Sequence, residues 1–383
     1  MAVTEYFSKT RLVQGLEGLK VSDTVGDWIV VKKLGRGGCG AVFEVCAKQV
    51  EERKHVAMKV ESRDLDHNDQ LLRAEASILK RMQYSKHVPI FIAAGRTATF
   101  NFLLMELLGK SLSELHKLAP HHQFTMATVL KIALQALSVA FQTSPSPSLT
   151  FYTSSALEAI CFEALRDLHS VYFVHRDVKP ANFASGLKNV NVLYILDFGL
   201  SRQFATYDTT TKALKLRKPR ERASFRGTVA YCSINVHKHL EQGRHDDLWS
   251  MMYMLIEFIA GRLPWKGLDR KETAVIKQTI SKRRLLQGCP KQFGIILEYI
   301  SMLRYHHRPD YDQIENLFVA AIEHRNIDRK APFEWGEPKA REYLLHMKGR
   351  VTAAGEKEGK PASKLGQLEA TVMEYRVDTT QCA

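Results

Sequence analysis

Two short polar runs limit most strongly what this chain can fold into. Residues 175–182 read H-R-D-V-K-P-A-N, and residues 197–199 read D-F-G. Together they supply an aspartate that can orient a hydroxyl group, a nearby lysine, and an amide and a carboxylate that can bind Mg²⁺ through oxygen. Phosphoryl transfer needs this set, because its catalysis is positioning and charge neutralisation. Either run can arise by chance, whereas the pair in this order and spacing is a specific signal.

The residue types within the two runs predict separate roles. Asp177 is expected to accept a hydrogen bond from an attacking hydroxyl group, and Lys179 to neutralise charge on a moving phosphate. Asn182 and Asp197 are expected to hold Mg²⁺, a hard cation that prefers oxygen ligands. His175 is expected to be a packed residue and not a titrating base.

A glycine-rich run lies nearer the start of the chain. Residues 35–42 read G-R-G-G-C-G-A-V, which fits the pattern G-x-G-x-x-G-x-V. Glycines in such a run often serve turn geometry alone. Here the run lies between two strand-like segments and not before a helix, which argues against a dinucleotide fold and favours a flap over nucleotide phosphates.

A lysine and a glutamate are predicted to form an ion pair. Lys59 ends the strand-like run V-A-M-K, where it is expected to bind the α- and β-phosphates of a nucleotide. Glu75 follows on a helical segment whose apolar positions point to a core. A Lys59–Glu75 pair would fix both the lysine and the helix, and the alternative is a purely structural salt bridge.

The hydrophobic pattern predicts an α+β fold of two lobes. Period-two alternation around glycines indicates an antiparallel meander from Gly26 onward, and the pattern is mostly helical from Ser111 to about Arg325. We therefore predict a small β-rich lobe followed by a larger α-helical lobe. The predicted parts are an N-terminal arm at 1–25, a domain at 26–336 with lobes at 26–105 and 111–336, a hinge at 106–110, and a mobile C-terminal tail at 337–383.

One stretch does not fit the helical pattern around it. Residues 141–150 are rich in Ser and Pro, and proline inside a helix costs about 3 kcal/mol. An insertion at about 138–162 is therefore predicted, either as a surface loop or as non-native sequence from an incorrect gene model.

These motifs resemble those of eukaryotic protein kinases, and finer features resemble the casein kinase I group. Residues 233–235 read S-I-N where most protein kinases have A-P-E. Within that group, the chain looks most like the tau-tubulin kinase branch. The other segments that carry the resemblance are M-E-L-L-G at 105–109, F-R-G-T at 225–228, G-R-H-D-D-L-W-S at 243–250, L-P-W at 263–265, R-P-D-Y at 308–311 and F-E-W at 333–335.

The resemblance covers about residues 26–336 and implies an ATP- and Mg²⁺-dependent kinase that phosphorylates Ser or Thr of proteins. It implies that Asp247, on a central helix, braces the backbone of the catalytic loop. The catalytic residues implied are Lys59, Glu75, Asp177 and Lys179, with Asn182 and Asp197 as metal ligands. The ATP-binding residues implied are Leu34, Gly35, Gly37, Gly40, Val42, Ala57, Lys59, Met105, Glu106, Leu108 and Ala184.

Substrate recognition departs from the group's pattern at one position. The group has a phosphate-binding arginine two residues before the serine of S-I-N, and this chain has no charge at that position, near Ala230. We expect substrates with acidic or phosphorylated segments, with less dependence on a phosphate already present. The expected substrate-binding residues are Arg226, Gly267, Lys271 and Lys277. Compensating charge is expected from the basic run Lys212, Lys215, Arg217, Lys218, Arg220, Arg222 and Arg226, whose simpler interpretation is a solvated loop.

The net charge and the cysteine content indicate which partners and which cellular compartment to expect. The formal net charge of +14 favours acidic partners, and the six cysteines show no C-x-x-C spacing, which favours a reduced, intracellular protein. We expect a monomer in the cytoplasm, with the nucleus as an additional location. No membrane association is expected, because the longest apolar stretch, 249–260, is too short to span a bilayer and contains Glu257.

Two other function classes stay open at this point. One is a pseudokinase-type scaffold with the same fold and no turnover, which the complete set of catalytic residues argues against. The other is a basic protein that binds nucleic acid or a cytoskeletal polymer. Nucleic acid is the less expected partner, because aromatic residues are not interleaved with the basic run.

Overall fold

A computed structural model describes residues 19–36, 40–48, 54–65, 70–135, 162–208 and 210–336. These residues form two compact units, one drawn from 19–83 and 89–108 and the other from 84–88 and 109–336. The predicted insertion lies almost entirely outside the described residues, as do the predicted tail and the tip of the glycine-rich run.

The first unit is an antiparallel six-stranded sheet with one helix. The strand order is β1-β2-β3-β4-β6-β5. Its elements are β1 (Thr24–Val25), β2 (Trp28–Arg36), β3 (Gly40–Ala47), β4 (His55–Ser62), α1 (Leu72–Arg81), β5 (Phe91–Arg96) and β6 (Phe100–Glu106).

Alternation of apolar residues explains how this sheet packs. Val30, Phe43, Val45, Met58 and Val60 are almost completely buried and belong to one core cluster. Two details differ from the sequence-based expectation. β1 lies inside the segment predicted to be an arm, and β5 was not predicted, because its residues F-I-A-A-G-R form a short and weakly patterned run.

The second unit is mainly helical. Its helices are α2 (Leu112–Leu118), α3 (Met126–Gln135), α4 (Phe162–Ser170), α5 (Ile234–His237), α6 (Arg244–Ala260), α7 (Arg270–Thr279), α8 (Lys282–Leu285), α9 (Lys291–Met302) and α10 (Tyr311–Glu323). Helix α6 is central: nearly all of its length is buried, and it packs against α3 and α9. Helices α3 and α4, which flank the predicted insertion, contact each other.

Three short strand pairs position the loops of this unit. They pair β7 (Phe173–Val174) with β10 (Arg202–Gln203), β8 (Phe183–Ser185) with β9 (Leu193–Ile195), and β11 (Ala205–Asp208) with β12 (Ala213–Leu216). The sequence pattern predicted this region as mostly helical, because two- to four-residue strands carry little periodicity. The α+β class, with a small β-rich part followed by a larger helical part, is confirmed.

Among the described residues, no helix is long and apolar enough to cross a membrane. The apolar stretch 249–260 is the mostly buried C-terminal part of α6.

Candidate active site

An aspartate, a lysine and a threonine form a tight polar group in the second unit. Oδ2 of Asp177 lies 2.5 Å from Nζ of Lys179, and Oδ1 accepts a hydrogen bond of 2.7 Å from the hydroxyl group of Thr228. Nζ of Lys179 lies 3.3 Å from the same hydroxyl oxygen. Asp177 is only 7% exposed, so these contacts hold both of its carboxylate oxygens in place. The sequence predicted Asp177 and Lys179 and missed Thr228.

The two predicted metal ligands lie at the same end of the β8–β9 hairpin. Asn182 immediately precedes β8, and Asp197 follows β9 by two residues. The N–H of Leu196 donates to the carbonyl oxygen of Asn182 over 2.9 Å, which joins the two segments next to Asp197. The side-chain nitrogen of Asn182 donates to the carbonyl oxygen of Asp177 over 2.9 Å. The amide oxygen of Asn182 is therefore the atom that can bind a metal.

These groups suit Mg²⁺ chemically. An amide oxygen and a carboxylate are hard donors, and Mg²⁺ typically takes one or two protein ligands and completes its shell with phosphates and water. Among the described residues, no cluster of three or more His, Cys, Asp or Glu could hold a metal by itself. One amide oxygen and one carboxylate leave ligand positions open for phosphate oxygens and water.

The predicted brace from α6 is present. Oδ2 of Asp247 accepts from the N–H of His175 over 2.7 Å, and Oδ1 accepts from the N–H of Arg176 over 2.8 Å. His175 is fully buried against Phe198, with ring centroids 5.6 Å apart. Its Nδ1 accepts from the N–H of Asp177 over 3.3 Å, so its Nε2 carries the hydrogen and donates to the carbonyl oxygen of Leu196 over 3.0 Å. His175 is therefore a packed residue, as expected.

Two residues behind Asp247 were missed in the sequence. Nε2 of His169 lies 2.9 Å from Oδ2 of Asp247, and Nδ1 of His169 lies 2.7 Å from the hydroxyl group of Tyr311. Burial lowers the pKa of His169, which favours a neutral ring that donates to Asp247 and accepts from Tyr311. Burial alone would raise the pKa of Asp247, yet the hydrogen bond from His169 and the neighbouring N–H groups lower it. Asp247 is thus held as a carboxylate.

A close backbone approach explains one glycine of this site. Arg176 has a left-handed conformation with φ of 67°, and Gly227 has φ of 114°. A Cβ atom on Gly227 would lie 2.5 Å from the carbonyl oxygen of Arg176. Glycine is therefore required directly before Thr228 for the threonine to reach Asp177.

In the first unit, the predicted ion pair is present. Nζ of Lys59 lies 2.6 Å from Oε2 of Glu75 on α1, and Glu75 is only 3% exposed. Glu61, which lies on β4 like Lys59, also contacts α1, and the sequence analysis missed it. Oε1 of Glu61 accepts from the N–H groups of Leu71 and Leu72 over 2.6 and 3.0 Å, at the N-terminus of α1. Strand β4 therefore fixes α1 at two points.

The sheet register aligns several predicted ATP-binding residues. Gly35 pairs with Val42, Val42 pairs with Lys59, and Ala57 pairs with Met105. These residues lie in adjacent positions across β2, β3, β4 and β6. The structure thus brings them into two cross-strand rows of one sheet.

The other predicted nucleotide residues are placed separately. Leu34 is exposed on β2, and a Cβ atom on Gly40 would lie 1.9 Å from the carbonyl oxygen of Val60, so Gly40 is required by the strand packing itself. Gly37 lies outside the described residues. Glu106 ends β6 and binds the backbone of Ile90, Leu108 is half-buried, and Ala184 is buried in β8 of the second unit.

The four predicted substrate residues do not share one environment. Gly267 and Lys271 are exposed, and Arg226 is half-buried with its carbonyl oxygen bonded to the side chain of Gln242. Lys277 is only 5% exposed, and its ammonium group donates to the carbonyl oxygens of Val229 and Cys232 over 2.8 and 2.6 Å. These internal bonds occupy the ammonium group, so Lys277 does not suit the predicted role of binding a substrate anion.

The basic run is mostly exposed but has an internal acidic partner. Lys212, Lys215, Arg217, Lys218, Arg220 and Arg222 are exposed. Glu241, 6% exposed, forms ion pairs with Arg220 and with Nε of Arg202, the latter at 3.3 Å. Burial would raise the pKa of Glu241, but the bond from Arg220 and the charge of Arg202 lower it. The residues after D-F-G are therefore tied to an ionised carboxylate that the sequence analysis did not identify.

Residues 28–316 match the protein kinase domain family, and the chain belongs to that family. It is 34% identical over 81% of its length to a probable serine/threonine-protein kinase of Dictyostelium discoideum, of which it spans only 56%. It is 33% identical to the Caenorhabditis elegans protein K06H7.1, which is named as a serine/threonine-protein kinase on a provisional basis. This match covers 92% of this chain and 93% of that protein. It is 29% identical to the serine/threonine-protein kinase spe-6 of C. elegans, over 91% and 86% of the two chains.

Proposed function

We propose that this protein transfers the γ-phosphate of ATP to serine or threonine residues of proteins. The observation that carries this proposal is the group formed by Asp177, Lys179 and Thr228. Asp177 is held at both oxygens and orients the acceptor hydroxyl group, while Lys179 places a positive charge beside it. The names of the relatives support the same enzyme class.

The remaining roles follow the residue types and their supports. Lys59 binds the α- and β-phosphates, and its pair with Glu75 holds the ammonium group in place. Asn182 and Asp197 hold the metal through oxygen. Mg²⁺, when bound, neutralises the phosphate charge that grows during transfer.

We also propose that the chain belongs to the casein kinase I group, in its tau-tubulin kinase-like branch. The S-I-N segment supports this assignment, because its two polar side chains form hydrogen bonds to a buried aspartate. The hydroxyl group of Ser233 and the amide nitrogen of Asn235 both donate to Oδ1 of Asp246, over 2.5 and 3.0 Å. Asp246 is fully buried at the start of α6, so S-I-N fixes the end of the segment that begins at D-F-G.

The proposed substrates are proteins with acidic segments near the target residue. The exposed cations of the basic run, together with Lys271, support this preference. Ala230 brings no charge to its position, so a phosphate on the substrate has less effect than general acidity. We propose action as a monomer in the cytoplasm or the nucleus, for which the cysteine pattern and the net charge are the supporting features.

Purified protein incubated with radiolabelled ATP, Mg²⁺ and a serine peptide rich in glutamate tests the function. We expect transfer to the peptide, and a loss of at least about a hundredfold in Asp177→Asn and Lys59→Met. Asp64→Asn and Lys188→Met, at exposed positions, are the matched controls. Nucleotide binding without transfer by the unmodified protein would instead support the scaffold alternative.

A further inference from the structure

The segment after Thr228 forms a compact turn. The carbonyl oxygen of Thr228 accepts from the N–H of Tyr231 over 3.0 Å and from the N–H of Cys232 over 2.9 Å. The hydroxyl group of the same Thr228 binds Asp177. The turn at residues 228–232 is therefore linked directly to the proposed catalytic carboxylate.

Lys277 holds this turn from the side of α7. Its Nζ donates to the carbonyl oxygens of Val229 and Cys232, which lie near the two ends of the turn. The same ammonium group lies 5.0 and 5.1 Å from the ring centroids of Tyr253 and Trp265. Burial lowers the pKa of Lys277 to about 8, so the native state keeps a charged group where its charge is disfavoured.

Neighbouring side chains fix the residues between these two carbonyl groups. Nε1 of Trp265 donates to the carbonyl oxygen of Ala230 over 2.8 Å. The hydroxyl group of Tyr231 donates to Oε2 of Glu257 over 2.5 Å. Each residue from Val229 to Cys232 is therefore bonded to a side chain outside the turn, and Lys277 supplies two of these bonds.

We infer that Lys277 is a positioning residue: it holds the turn at residues 228–232 so that Thr228 keeps its hydrogen bond to Asp177. This inference rests on the proposed function for its effect on turnover. The effect passes from the ammonium group to the turn, from the turn to Thr228 and from Thr228 to Asp177. A displacement of Asp177 by a fraction of an ångström would misplace the acceptor hydroxyl group and slow transfer.

Hydrogen exchange tests the first half of this inference without any need for turnover. Lys277→Met keeps the length of the side chain and removes both hydrogen-bond donors. We expect the amides of Tyr231 and Cys232 to exchange at least about tenfold faster in this variant. The matched control is Lys282→Met, which removes an exposed lysine. Unchanged exchange in Lys277→Met would overturn the inference.

A double-mutant cycle tests the second half. Lys277→Met should lower kcat for peptide phosphorylation about tenfold and leave the KM for ATP unchanged. In a Thr228→Val background, where the bond to Asp177 is already absent, the same change should have less than about a twofold effect. An equal loss in both backgrounds would show that Lys277 does not act through Thr228.

Two further outcomes keep the test decisive. If Lys277→Met does not fold, Trp265→Phe removes the bond to the carbonyl oxygen of Ala230 and part of the ring that packs against Lys277 and Tyr253. It should raise the same exchange rates and lower kcat in the same direction. No effect of Trp265→Phe on either quantity would then overturn the inference. If the unmodified protein transfers no phosphate, the proposed function fails, while the exchange experiment still decides whether Lys277 holds the turn.

Discussion

The hydroxyl group of Thr228 donates a hydrogen bond to Oδ1 of Asp177 across 51 residues of sequence. This bond joins the H-R-D run to the segment that leads to S-I-N. Oδ2 of the same aspartate lies beside Nζ of Lys179. The carboxylate of Asp177 therefore connects Lys179 with Thr228, the first residue of the turn at residues 228–232. Movement of this segment would remove one of the contacts that orient Asp177 and leave those with Lys179 and Asn182.

Substitutions of Thr228 should therefore depend on the hydroxyl group and not on side-chain volume. Thr228→Ser keeps the donor and should retain most of the peptide-kinase activity. Thr228→Val keeps the shape and should lower kcat by about ten- to a hundredfold. Steady-state kinetics on one peptide measure this difference. Equal activity in the two variants would contradict the assigned role of the bond.

The hydrogen bonds that link Tyr311, His169 and Asp247 are buried, and the two ends of this network should contribute different amounts to the free energy of unfolding. Tyr311→Phe removes one hydroxyl group that binds His169 and should cost about 1 kcal/mol. Asp247→Asn replaces a buried carboxylate that accepts two backbone N–H groups and should cost about 3 kcal/mol. Urea unfolding of both variants checks the order. A larger loss in Tyr311→Phe would be inconsistent with this network.

Local motifs made part of this site predictable. Asp177, Asn182 and Asp197 stand in runs whose residue types identify phosphoryl-transfer chemistry, and the pairing of Lys59 with Glu75 follows from a strand and a helix with clear periodicity. The fold class followed from the change of period near Ser111. In each case the informative residues are close in sequence or belong to long periodic elements.

The supporting residues could not be predicted in the same way. Glu61 binds the N-terminus of α1, Glu241 binds Arg202 and Arg220, and Lys277 binds a turn almost fifty residues away. A glutamate or lysine in a polar stretch is most often solvated, so its type and spacing carry no signal. Only tertiary packing decides which of these charges is buried. For Lys277, the sequence-based assignment to an anion site is replaced by an internal bonding role.

Glu241 should keep the segment after D-F-G ordered without phosphorylation. Glu241→Gln removes the charge that faces Arg202 and Arg220, and it should destabilise this segment by about 2 kcal/mol. We expect trypsin to cleave faster between residues 217 and 222, and phosphatase-treated unmodified protein to stay active. Glu298→Gln, which alters an exposed ion pair, is the control. Equal cleavage rates in the two variants would show that Glu241 does not order the segment.

A buried histidine should make the second unit sensitive to acid. His116 packs between Phe124 and Phe258, with ring centroids 5.2 and 5.1 Å away. Burial lowers the pKa of His116 from 6.5 to about 4. Between these pH values the unfolded chain binds a proton that the native state does not, so this residue lowers stability as the pH falls from 6.5 to 4.

His116→Phe should therefore reduce the loss of stability between pH 7 and pH 5. One pKa unit corresponds to about 1.4 kcal/mol, so the histidine accounts for about 2 kcal/mol of that loss at pH 5. Urea unfolding gives the free energy of unfolding of each protein at pH 7 and at pH 5. The difference between these two values cancels any effect of the substitution on packing that is independent of pH. His324→Phe, at an exposed position, should leave the loss unchanged. If His116→Phe loses as much stability on acidification as the unmodified protein does, burial does not lower the pKa of His116 in the native state.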